Sequence, residues 1–402
     1  ATAAPRALPR DAPRIRWAMP LGAHEVDDEP WLPGRRAGLA GGRIFLGATQ
    51  GLAVVDAATG AVTWPASGAP EGGGHDPGAR SSGGEGESLW AIETQWEGAE
   101  SLAVGGDRTP GSPRRVRAED LVPGGRLDGP PALDGQRLVV PVADGTGSRF
   151  LCLLEGGDLS LAGKVELPWA PSLPQARADS LPRRSTLAVA GGTAWWVAAT
   201  GLVAAIDLLE GRPRWVTSYR ISRGWQLVNG WLPTPPVRWG TRLLVAPVDG
   251  LDLLCLDAAT GREIWSQPRE SQSMLLGAGG GLVFTGGRGV IARRIDDHGI
   301  IEWERPDVVV LGRPVLTDRE MIVSGLREDV AGVYRIDLAG GRLLRFDPVA
   351  PTPGDLIAAG DDLLVSTGPD WVIALGFAGK DEPSLPLAPE TEPSGIEHGS
   401  AE

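Results

Sequence analysis

Cysteine, lysine, asparagine and tyrosine are nearly missing from this 402-residue chain. The two cysteines, Cys152 and Cys255, lie far apart, which excludes a disulfide framework or a zinc-ligand spacing. Lys164 and Lys380 are the sole lysines and Asn229 the sole asparagine. Arginine carries almost all the positive charge, as expected of a GC-rich genome. No apolar run reaches the roughly 18 residues that would mark a membrane-crossing helix. The net charge of −13 and the isoelectric point near 4.9 argue against a nucleic-acid partner. His24, His75, His298 and His398 have no metal-ligand spacing, and no G-x-S-x-G elbow occurs. The glycine-rich "GGGHDPG" and "DGTGS" stretches lack the lysine of a phosphate loop. The chain starts at Ala1 without a signal-type apolar region, so it reads as a processed or excised segment.

What is abundant is punctuation. With 58 glycines and 35 prolines, many short strands are favoured over long helices. One phrase recurs: "LAVVDAATGAVTW" at 52–64, "VAAIDLLEGRPRW" at 203–215 and "LLCLDAATGREIW" at 253–265. Weaker copies run at 291–303, 333–346, 150–167 and 370–379. Aligned on Asp56, Leu154, Asp207, Asp257, Asp296, Asp337 and Leu375, the later copies recur at about 40–50 residues. Each follows a turn and an alternating apolar run such as "RWGTRLLVAPVDG" (238–250), so each unit reads as four antiparallel strands. Four-stranded units at this period are the signature of a β-propeller. The long step from 56 to 154 leaves either a low-complexity insertion at about 65–129 within seven blades, or an eighth blade hidden in 85–125. Seven blades are the expectation.

Closure has its own signal. The last copy lacks its tryptophan-bearing fourth strand, while "RIRWAMPLG" at 14–22 is an orphan strand carrying Trp17. An N-terminal strand completing the last blade would remove both open edges. The expected organisation is a linker at 1–13, a propeller at 14–379 and a disordered acidic, proline-rich tail at 380–402.

In the repeat, Asp56, Asp207 and Asp257 accept backbone amides of their own turn, and glycine supplies a positive φ. Trp17, Trp64, Trp215, Trp265 and Trp303 fall on the outer strand, where an indole can wedge against the next blade. The pattern D-x-x-T-G-x-x-x-W after a strand of G-x-Φ-Φ-V type resembles the PQQ-like propeller repeat. That family is shared by quinoprotein alcohol dehydrogenases and BamB-type outer-membrane assembly factors, and the resemblance covers 14–379. It implies a noncatalytic protein-interaction scaffold of the bacterial cell envelope, periplasmic or envelope-associated, with a protein partner that belongs to a membrane-associated complex. The alternatives are a PQQ-dependent dehydrogenase and a ligand-sensing propeller of a larger signalling protein. A quinoprotein of the family would bring an adjacent-cysteine disulfide and calcium held by Glu, Asn and Asp. This chain has separated cysteines, so neither PQQ nor calcium is expected, and no catalytic or metal residue is assigned.

Residues outside the repeat are the partner-binding candidates. "SRGWQLVNGWLPTPP" at 222–236 sets Trp225 and Trp231 beside Arg223, a pairing enriched at interface hot spots. Trp90 and Trp96 in the insertion are further candidates. Trp195 and Trp196, adjacent on a strand, must face opposite sides.

Overall fold

The fold was obtained as a computed structural model. It describes residues 13–20, 37–40, 43–48, 51–60, 62–63, 101–104, 114–129, 131–134, 137–155, 160–167, 185–221, 232–269, 271–359, 362–368 and 371–377. Among these, the single α-helix is the short Ala118–Leu121; nearly everything else is antiparallel sheet. Seven sheets of four or five strands are present among the described residues, together with a two-stranded sheet. Six of the larger sheets are meanders, as in the order Thr186–Ala190, Thr193–Ala198, Leu202–Asp207, Arg212–Ser218, and the seventh takes its outer strand from Pro13–Pro20. In two sheets the first strand is split: Arg126–Leu127 and Ala132–Asp134 both pair with Arg137–Ala143. The second sheet built this way has Val309–Val310 and Val315–Leu316 against Glu320–Arg327.

The apolar patterning explains the stacking. Every residue of Thr193–Ala198 is buried, so both faces of that strand are covered. On Arg212–Ser218 only Trp215 is buried, because this outer strand meets solvent. The cores lie between successive sheets rather than within one. Trp196 packs with Val139 and Leu151 of the preceding sheet, whereas Trp195 packs with Leu243 and Leu254 of the following one. The two adjacent indoles therefore serve two different cores, as the alternation of strand side chains requires. Further cores join the 237–268 sheet to the 272–305 sheet, that sheet to the 309–348 sheet, and that one to the 355–377 sheet.

Pro13–Pro20 pairs with Trp371–Phe377, setting Ile15 opposite Leu375 and Trp17 opposite Ala374. It begins at Pro13, the last residue assigned to the linker. Within the segment read as an insertion, Ser101–Val104 pairs with Arg114–Arg117, and Arg126–Leu127 already belongs to the next large sheet.

Register corrects three of the aligned positions. Asp56, Asp207, Asp257 and Asp337 all face the first residue of the preceding strand: Arg43, Thr193, Arg242 and Glu320. In the remaining sheets that place is held by Glu155, Arg294 and Gly376, not by Leu154, Asp296 and Leu375. The turn after Arg294 is one residue longer, with the Gly299 amide donating back to the Arg294 carbonyl. Asp296, aligned on its identity, therefore lies inside this longer turn, two residues past the register position. Cys152 and Cys255 occupy different places in this register. Cys255 faces Trp265, while Leu153 takes the corresponding place opposite Gly163.

Candidate interaction face

Each meander has two ends. At one end lie the Asp turns. The Asp257 carboxylate accepts the Ala259 and Thr260 amides and the Thr260 hydroxyl. Those donors hold its pKa below the ordinary carboxylate value, the Thr260 hydroxyl contributing most of the favourable part. Asp207 does the same with the Leu209 and Glu210 amides and adds Arg214 at 2.7 Å. Its pKa is lowered first by the Glu210 amide and then by Arg214. The backbone of Asp56 takes the register of these residues.

Four tryptophans each link one sheet to the turn of another. Trp17 Nε1 donates to the Ala57 carbonyl at 3.1 Å, Trp215 to Ala258 at 3.1 Å, Trp265 to Ile295 at 2.7 Å and Trp303 to Leu338 at 2.9 Å. In all four the acceptor immediately follows the Asp position. The turn glycine then lies on the indole: a Cβ on Gly261 (φ +71) would be 2.4 Å from Trp215 Cε3. The joint thus needs glycine twice, for its dihedral and for its missing side chain. Trp64 lies outside the described residues.

At the opposite end are the hairpins joining second to third strands, together with the connections between sheets. The segment carrying Arg223, Trp225 and Trp231 falls in such a connection, and these three residues lie outside the described residues, as do Trp90 and Trp96. Its flanks are anchored at this end. Ile221 forms an isolated bridge with Gly250, and the Leu232 amide donates to the Ser273 carbonyl at 2.5 Å. An open groove of about 520 Å³ lies at the same end, between the Asp329–Ala331 turn, Pro348–Thr352 and Trp371.

A buried polar cluster there escaped the sequence reading. Arg149 pairs with Asp128 at 3.2 Å, donates to Thr200 at 3.2 Å and sits 5.8 Å from the Trp196 ring centroid. Tyr219 meets both Asp249 and the Ala198 carbonyl. Burial pushes Asp249 up to about 6 and raises Tyr219 well above the usual phenol value. The available clue was rarity: Tyr219 is one of two tyrosines in the chain. Asp249, within "PVDG", has the appearance of an ordinary turn aspartate.

The cysteines do not fit a redox or quinone-capping role. Cys152 and Cys255 are free thiols in separate cores, and desolvation raises them to about 11 and about 12. Asn229 lies outside the described residues. Among the described residues no three His, Cys, Asp or Glu side chains gather as a metal set, and no helix is long and apolar enough to cross a membrane.

No family model and no curated protein sequence matches the chain. Solved structures do. BamB from Moraxella catarrhalis aligns with a TM-score of 0.56 and 15% identity, over 91% of this chain and all of that one. The computationally designed Ika8 protein aligns at 0.51 and 15% identity, over 86% and 96%. A europium-containing methanol dehydrogenase overlaps only partly, at 0.38 and 14% identity, over 56% and 52%. At these identities the likeness concerns fold, and the fold is that of a β-propeller.

Proposed function

We propose that this chain is a noncatalytic protein-binding platform of the bacterial cell envelope. Its frame is a ring of seven blades, and the N-terminal strand closes it by completing the last one. The observation that carries the reading is the repeated indole-to-carbonyl joint. Four tryptophans at the same repeat position tie sheets together, so the signature residues are occupied in holding the frame. What differs from sheet to sheet is left for recognition: the hairpins and connections at the other end. The whole-length likeness to BamB supports the propeller frame on which this reading rests. Trp17 carries the seam, since it pairs into the last sheet and reaches the turn after Asp56. Of the window that could have held an eighth blade, the described residues before 118 form only a two-stranded sheet, which favours seven.

Partner recognition is assigned to Arg223, Trp225 and Trp231, with Trp90 and Trp96 as secondary contacts. The chain is proposed to act without PQQ or calcium. A pull-down from native membranes tests this directly, comparing the wild-type protein with Trp225→Ala/Trp231→Ala. Loss of a stoichiometric partner with retained folding is expected. Undiminished recovery removes that segment from the reading, and stoichiometric uptake of PQQ with calcium overturns the noncatalytic assignment.

A further inference from the structure

Three oxygens meet between two sheets, Tyr219 Oη touching both the Ala198 carbonyl and Asp249 Oδ1. Tyr219 is within hydrogen-bond distance of both others, at 2.5 Å from Asp249 and in close contact with Ala198. Two such contacts need two protons. A phenol has one, and a carbonyl oxygen has none. If Asp249 were ionised, either contact could be made but the other would bring two lone pairs together. A neutral Asp249 resolves the count: its acid proton goes to Tyr219 Oη, and the phenol proton goes to Ala198.

A second observation points the same way. Asp249 is 3% exposed, its Oδ2 has no donor at hydrogen-bond geometry among the described residues, and the nearby Gly201 and Asp249 amides offset its desolvation only in part. A buried carboxylate oxygen without a donor is costly when charged and much less so when neutral. The titratable groups facing the pair come from two sheets. Tyr219 belongs to the 185–218 sheet and its following connection. Arg149 of the 126–166 sheet acts on both partners, and its own charge is balanced by Asp128.

We propose that Asp249 and Tyr219 form a proton-dependent latch between the 185–218 and 237–268 sheets, closed when Asp249 is the neutral acid. The latch lies at the opposite end of this junction from the Trp215–Ala258 and Thr217–Gly261 hydrogen bonds, with the shared apolar core between them. The Tyr219 amide donates to the Gly201 carbonyl, and Ile221 bridges Gly250 beside the aspartate. On ionisation Asp249 ceases to be a donor, so Tyr219 must give up either Ala198 or Asp249, and the carboxylate draws water into the junction. The inference is independent of the partner-binding reading.

The sign follows from the folded carboxyl lying above its ordinary value of 3.8, at about 6. The stabilisation is complete below the unfolded value and is lost as pH rises through the folded one. Two units correspond to about a hundredfold in the folding equilibrium. The test is urea unfolding of the full chain and of Asp249→Asn between pH 4 and 8. The asparagine amide still donates to Tyr219 but cannot ionise. The wild-type folding constant relative to the variant should fall about a hundredfold across the interval, and parallel curves overturn the proposal. Should Asp249→Asn fail to fold, infrared difference spectra of the wild-type protein between pH 5 and pH 7 decide the question. A buried protonated-carboxyl band that bleaches over that interval supports the latch; its absence overturns it.

Discussion

At the scale of single residues, the joints are tests of two separable costs. Gly240 and Gly261 both have positive φ, at +56° and +71°. A Cβ on Gly240 would meet nothing within 4 Å, whereas on Gly261 it would press into the Trp215 ring. Gly240→Ala should therefore cost only the left-handed backbone, roughly 1–2 kcal/mol. Gly261→Ala should add about 1–3 kcal/mol for overpacking. Urea midpoints of the two variants measure the difference, and equal values would mean that the ring does not constrain the turn. Trp265 separates in the same way. It is 5% exposed and donates to Ile295 at 2.7 Å. Trp265→Ala should destabilise by about 3–5 kcal/mol. Trp265→Phe keeps an aromatic ring but orphans a buried carbonyl, so about 1–3 kcal/mol is expected, read in the same unfolding experiment.

At the scale of the element, the Asp turn couples strand geometry to pH. Asp257 is held low by the Thr260 hydroxyl and by turn amides. A depressed carboxyl contributes stability above its unfolded pKa and loses it as pH falls through the folded one. Relative to Asp257→Ala, the wild-type advantage should shrink once the pH drops below about 4, as followed by thermal unfolding. Asp249 works in the opposite direction, losing its contribution toward neutrality. These elements also show what could be read in advance. The strands, the turns and the tryptophan places were legible because alternation and D-x-x-T-G turns are local signals. The position in the repeat was legible only where the turn length was constant. At 291–303 the turn is one residue longer, and the aspartate chosen by its identity, Asp296, lies two residues past the register position held by Arg294. The Tyr219–Asp249 pair was illegible because its members are thirty residues apart on different sheets and meet only through packing.

At the scale of the whole molecule, sheets that share cores pairwise cannot be stabilised one at a time. In the sheets between 185 and 348 the interior strands are covered on both faces by neighbours, so an incomplete sheet exposes its own edge and the core of the next. The strand Pro13–Pro20 is where this matters most. It supplies the outer strand to Trp371–Phe377, and its Trp17 reaches the turn after Asp56. Deleting residues 13–20 removes one edge strand and one joint together. The remaining edge would be the apolar Trp371–Phe377, six of whose seven residues are buried in the intact protein. An uncovered edge of that kind recruits other chains. The deletion variant should therefore self-associate in size-exclusion chromatography and unfold at markedly lower urea. A synthetic peptide spanning 11–22, added in excess, should bind it and restore the elution position of the intact protein. The same peptide with Trp17→Ala should bind more weakly, because strand pairing alone lacks the indole that reaches Ala57. A deletion variant that stays monomeric with unchanged stability would show that the frame does not depend on the chain's two ends meeting.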